Sequence, residues 1–79
     1  MKAELYTLSY CPHCVAAVNL LESRGVETIN HVMDTEFGEL DQVKAKHGHD
    51  TVPIVLIDGV FLGGNDALKA FDAAGKLAE

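Results

Sequence analysis

The run Pro53-Ile54-Val55-Leu56-Ile57-Asp58-Gly59-Val60-Phe61-Leu62 restricts the fold more than any other stretch of this chain. Ile54 to Ile57 are consecutively apolar, so as a strand they have no polar face to turn to water and need cover on both sides. Asp58-Gly59 is a strong two-residue hairpin signal, since such turns require positive φ, which glycine adopts freely and aspartate tolerates. Val60-Phe61-Leu62 therefore returns antiparallel beside the first strand. A sheet covered on both faces calls for helices in the rest of the chain.

Lys2 to Leu8 alternates Ala3, Leu5 and Thr7 against Glu4, Tyr6 and Leu8, which predicts a strand, placed centrally. After Cys11, Pro12 suits the first turn of a helix, and Val15, Ala17, Val18, Leu20 and Leu21 give that helix a wide apolar face up to Arg24. Gly25 supplies the left-handed stop. Glu27 to Val32 follows as a second strand, parallel to the first through a right-handed crossover.

Between Glu36 and His47, Phe37, Leu40 and Val43 recur at helical spacing. Asp34, Glu36, Glu39 and Asp41 lie near the start of this segment, and Lys44, Lys46 and His47 near its end, an order that suits the helix dipole. Gly63-Gly64 ends the hairpin strand; Asn65 or Asp66 is then expected to cap a last helix, with Leu68, Phe71 and Ala74 as its buried stripe before Gly75. The order β-α-β-α-β-β-α predicts an α/β fold with a four-stranded mixed sheet, the thioredoxin-like layout.

At 79 residues the chain has room for one domain, residues 1–79. Twelve acids against six bases give a net charge of -6, which argues against nucleic acid and anionic membrane surfaces as partners. Met1-Lys2-Ala3-Glu4 lacks the apolar stretch of a secretory signal, and no apolar run approaches the ~20 residues that span a bilayer, so a cytoplasmic location and a monomer are expected.

Cys11 and Cys14 are the only two cysteines, too few for a disulfide framework. Thiol-disulfide exchange needs a nucleophilic thiolate and a second thiol close enough to release the mixed disulfide. A Cys-x-x-Cys pair at a helix start supplies both: unpaired backbone N–H groups favour a thiolate on Cys11, and Cys14 lies one turn deeper. Cys11 is thus the expected nucleophile and Cys14 the resolving thiol. Pro12 and His13 lie between them as tuning residues, a protonated His13 stabilising the thiolate and making the disulfide more oxidising. The alternative for His13 is a solvated side chain with no electrostatic part. A zinc site would need further ligands, and His47-x-His49 is too tight for the usual spacing, so no metal is expected.

Three motifs in this order resemble a glutaredoxin, and the resemblance covers essentially the whole chain: Cys11-Pro12-His13-Cys14, Thr51-Val52-Pro53 and Gly63-Gly64-Asn65-Asp66. The resemblance implies glutathione as co-substrate, no tightly bound cofactor, and glutathionylated or disulfide-containing proteins as partners. It implies a cis Pro53 facing the dithiol, with Val52 offering its backbone to the cysteinyl part of glutathione. Thr51, Gly64, Asn65 and Asp66 complete the implied glutathione site, Asn65 and Asp66 receiving the γ-glutamyl end. On physical grounds, glycines let a ligand approach the backbone, a helix start presents N–H groups to a carboxylate, and Asp66 suits an ammonium. The plain alternatives are a proline that merely begins a strand and a loop that merely caps a helix.

The third place of the cysteine motif holds His13 where the family most often has tyrosine, and Leu8 stands where many members have lysine. Pro-His also resembles the active site of strongly oxidising periplasmic disulfide catalysts, although those carry an inserted helical domain for which this chain has no room. A residue to meet the glycyl carboxylate is to be sought among Gln42, Lys44, Lys46, His47 and His49. Two other functions stay open on the sequence: a redoxin reduced by a thioredoxin-reductase-type flavoenzyme, and a zinc or iron-sulfur carrier using Cys11, against which Pro12 counts.

Overall fold

The computed structural model describes residues 1–77. Its elements run β1 (Lys2–Thr7), α1 (Pro12–Ser23), β2 (Glu27–Val32), α2 (Phe37–His47), β3 (Ile54–Ile57), β4 (Val60–Gly63) and α3 (Asn65–Ala73). The sheet order is β2-β1-β3-β4, with β1 parallel to β2 and antiparallel to β3, and β3 antiparallel to β4. This is the expected mixed four-stranded sheet, with β1 inside it.

Strand alternation sorts the core into two layers. Ala3, Leu5, Val55 and Ile57 point to one face and pack with Ala17 and Leu21 of α1, Leu68 of α3, and Leu77. Tyr6, Ile54, Leu56 and Phe61 line the other face, under Leu40 and Val43 of α2, with Met33 and Leu8. The apolar run Ile54 to Ile57 is covered on both sides, as its composition requires. Full burial of a leucine such as Leu5 or Leu21, both 0% exposed, contributes about 1.5–3 kcal/mol.

The turns follow their residues. Asp58 and Gly59 take φ of 51° and 82°, so both central positions of the hairpin are left-handed, and the Asp58 carboxylate accepts from the Lys2 N–H at 2.8 Å. Arg24 just beyond α1 grips the Asp72 carboxylate of α3 with two hydrogen bonds of 2.8 and 3.0 Å, which holds these neighbouring helices in register.

Several expected details differ. Val15 is 51% exposed, because it borders a shallow cavity of about 150 Å³ between α1 and β2 instead of entering the core. Phe37, at the first turn of α2, is 53% exposed, so Leu40 is the fully buried anchor of that helix. Ala74 is exposed and closes α3 as its C-cap; Leu77 fills the core beyond it. The cap of α3 is neither Asn65 nor Asp66 but Gly64, with no side-chain cap bond. Gly63, at φ 139°, swings the chain from β4 straight into the helix, so the helix begins one residue early and Asn65 is carried inside.

Candidate active site

β1 delivers the chain to a tight loop, residues 8–11, closed by the Cys11 N–H donating to the Leu8 carbonyl at 3.2 Å. Both the N–H and the hydroxyl of Ser9 donate to Asp34, which ties this loop to the segment after β2. Those two bonds hold the Asp34 carboxyl below its usual range.

Cys11 is the N-cap of α1, in extended conformation, and Pro12 occupies the first turn, where a missing N–H costs nothing. The Cys14 N–H donates to the Cys11 sulfur at 3.3 Å, the arrangement in which a helix N-terminus favours an anion at its cap. Cys11 is partly exposed, whereas Cys14 is 2% exposed, and both carry free thiols. Burial, together with its hydrogen bond to Cys11, pushes the Cys14 thiol up to about 12.

The second wall comes from the segment between α2 and β3. The Val52–Pro53 peptide bond is cis, and the Val52 carbonyl lies 3.9 Å from the Cys11 sulfur in a long sulfur contact. Beside it opens a cavity of about 440 Å³, lined by His13, His49, Thr51, Val52, Pro53, Gly63, Gly64, Asn65, Asp66 and Ala67. The expected residues Thr51, Val52, Pro53, Gly64, Asn65 and Asp66 are thus all drawn into one cavity, and His13 reaches it from α1. Asn65 is 6% exposed, and neither its amide oxygen nor its nitrogen has a hydrogen-bond partner. A buried amide without a partner is an unmet hydrogen-bonding requirement at a residue that lines the cavity.

Of the five residues in or after α2 considered for the glycyl carboxylate, only His49 lines the cavity. Its Nε2 lies 3.2 Å from Thr51 Oγ1, and its ring meets Phe61 edge-on at 5.6 Å, while His47 stacks on Phe61 at 4.8 Å. A Cβ placed at Gly64 would lie 3.2 Å from His49 Nε2, so the bare glycine backbone is what gives the imidazole its place. Periodicity could not single out His49, because it lies in an irregular connection. Among the described residues, no three or more His, Cys, Asp or Glu side chains are grouped to hold a metal ion, and no helix is long and apolar enough to cross a membrane.

The glutaredoxin family model matches residues 3–62, which include the dithiol, the cis proline and β3. The chain belongs to the glutaredoxin family. It is 38% identical over 77 residues to a probable glutaredoxin of Synechocystis, covering 96% of this chain and 88% of that protein. To glutaredoxin 3 of Escherichia coli K12 it is 38% identical over 74 residues, covering 94% and 89% of the two chains. The solution structure of a dithiolic glutaredoxin from Trypanosoma brucei brucei superposes with a TM-score of 0.83 at 35% identity, over 96% of this chain and 81% of that one. A buckwheat glutaredoxin-glutathione complex superposes at 0.88 with 26% identity, over 95% and 71%. As a glutaredoxin with its cysteine pair at the head of α1, the chain is a thiol-disulfide oxidoreductase.

Proposed function

We propose that this glutaredoxin reduces glutathione mixed disulfides and protein disulfides through Cys11 and Cys14, with glutathione restoring the dithiol. The observation that carries the reading is the cavity of about 440 Å³ beside Cys11, whose wall holds the orphaned Asn65 amide at the start of α3. Glutathione presents a disulfide sulfur flanked by an amino-acid end, and the wall offers matching chemistry. Thr51, Val52 and Pro53 run beside the sulfur, the first N–H groups of α3 and Asn65 suit a carboxylate, and Asp66 suits an ammonium. A solved glutathione complex of a structural neighbour supports the same choice of ligand.

In the monothiol half of the reaction, the Cys11 thiolate attacks the glutathionyl sulfur, the partner thiolate leaves and takes up a proton, and a second glutathione thiolate then displaces Cys11, giving glutathione disulfide. With a protein disulfide, Cys11 forms the mixed disulfide and Cys14 attacks the Cys11 sulfur, closing the Cys11–Cys14 bond and freeing the substrate dithiol. Two glutathione molecules reduce that bond. Burial favours the protonated form of Cys14, so resolution needs a proton acceptor, and the thiolate released in the first step can serve as one. His13, on the cavity edge, adds positive charge beside the thiolate when protonated and raises the reduction potential. The exchange needs no resident cofactor. A cytoplasmic setting, where the glutathione pool is kept reduced, suits this reductant.

Turnover of a glutathione mixed disulfide and of a protein disulfide, coupled to glutathione reductase, tests this reading. Cys11→Ser should abolish both activities, and Cys14→Ser should keep the first and lose the second. Recycling of the oxidised protein by a thioredoxin reductase and not by glutathione would refute it.

A further inference from the structure

Among the described residues that line the cavity beside Cys11 there is no lysine or arginine, and the only side chains able to carry positive charge are His13 and His49. His49 stands alongside the start of α3: its Nε2 packs against the open face of Gly64, the N-cap, and exchanges a hydrogen bond of 3.2 Å with Thr51 Oγ1. The adjoining residue of α3 is Asn65, whose buried amide has no partner.

We propose that His49 and Thr51 form a proton-operated anion contact that makes recognition of the substrate's α-amino-acid carboxylate depend on pH. The inference rests on the glutathione reading above and adds regulation to that site. With Nε2 unprotonated, the Thr51 hydroxyl donates its hydrogen to the ring and is spent within the protein. Protonation reverses the bond: Nε2–H donates to Thr51 Oγ1, and the hydroxyl hydrogen is released toward the cavity. One proton thus brings a positive charge to the N-terminus of α3 and also frees a donor on the cavity wall, both favouring a carboxylate there.

His13 faces the same cavity from α1, His47 of α2 lies across the Phe61 ring, Asp66 of α3 sits on the cavity wall, and Asp50 is the chain neighbour. β3 and β4 bring no charged side chain. Asp66 is matched by the ammonium of the ligand, so a zwitterionic amino-acid end completes the charge pattern where a simple carboxylate would not.

The direct test is binding of S-methylglutathione, which cannot exchange, followed by NMR chemical shifts between pH 5.5 and 7.5. The ligand carboxylate stays ionised across this interval, since α-carboxyl groups titrate near ~3.5. The whole chain should bind about fivefold more tightly at the acid end. His49→Gln should bind with one affinity throughout, close to the wild-type value at pH 7.5. The analogue carrying 4-aminobutyryl in place of the γ-glutamyl group, and so lacking the α-carboxylate, should show no pH dependence on the unaltered protein, a comparison that needs no variant to fold. A flat wild-type profile, an unchanged slope in His49→Gln, which would pass the effect to His13, or an equal slope with the decarboxylated analogue overturns the inference alone. Absence of binding at every pH overturns the glutathione reading and the inference with it.

Discussion

The backbone N–H of Cys14 donates to the sulfur of Cys11 across 3.3 Å, so the residue proposed to close the disulfide also supplies a donor to its partner's sulfur in the open form. The two thiols are unequal: one is partly exposed at a helix cap, and the other is buried with its proton held up to about 12. Iodoacetamide at pH 7 to 9 should therefore label Cys11 and spare Cys14, whose thiolate fraction at pH 9 is on the order of 10⁻³. Mass spectrometry of the folded and the denatured reduced protein checks this, with double labelling expected only after denaturation. The same shift has a stability consequence. The Cys14 pKa is raised on folding, so its contribution is complete below the ordinary thiol value of 9.0 and is lost as pH climbs toward about 12. Urea midpoints of the reduced protein should fall over that interval.

His13 is exposed at the edge of the cavity, one residue before Cys14. On the proposed role, His13→Tyr should lower the reduction potential by on the order of 10–30 mV, because the cation that stabilises the reduced thiolate is removed. Redox equilibration against glutathione at pH 6 and at pH 8 measures it. The difference between the proteins should shrink at pH 8, and equal potentials at both pH values would dispose of an electrostatic part for His13.

The buried Asn65 amide forms no hydrogen bond within the protein, so its desolvation is uncompensated. Asn65→Leu, similar in size, should leave stability equal or raise it by about 1 kcal/mol, while raising KM for a glutathione mixed disulfide about tenfold. Thermal unfolding together with steady-state kinetics separates the two effects. A variant both less stable and unimpaired in KM would show Asn65 to be structural.

Gly63 combines a φ of 139° with a neighbour, Ala67 Cβ, that an added Cβ would approach to 2.8 Å. Gly63→Ala meets backbone strain of about 1–3 kcal/mol and a steric conflict of similar size. Urea denaturation should show a loss of at least about 2 kcal/mol, with disturbance centred on the start of α3.

Much of this architecture was legible in the residues because local and global signals agree. Asp58-Gly59 made the hairpin, the apolar run before it needed two covered faces, and Pro12 with the cysteine spacing marked the start of α1. The failures share one cause, which is tertiary placement prevailing over local preference. Asn and Asp are the better cap formers, yet the turn at Gly63 set the cap at Gly64 and drove Asn65 inward. Phe37 and Val15 fit the helical period but fall at the rim of their interfaces, where coverage runs out. His49 lies in a connection whose path is fixed by Gly64 and Phe61, residues that a helical or strand pattern does not link to it.

β1 is the first strand of the chain and an inner strand of the sheet, pairing on one side with β2 and on the other with β3, which begins only at Ile54. The contact between Cys11 and Val52 joins positions 41 residues apart along the chain. The βαβ half that carries both cysteines is thus joined by contacts near in sequence, whereas the cavity exists only where the later hairpin is paired with β1. On the proposed function, a partial opening that peels the hairpin away leaves the dithiol at its helix cap without the cavity, so specificity belongs to the long-range closure and reactivity to the local βαβ half.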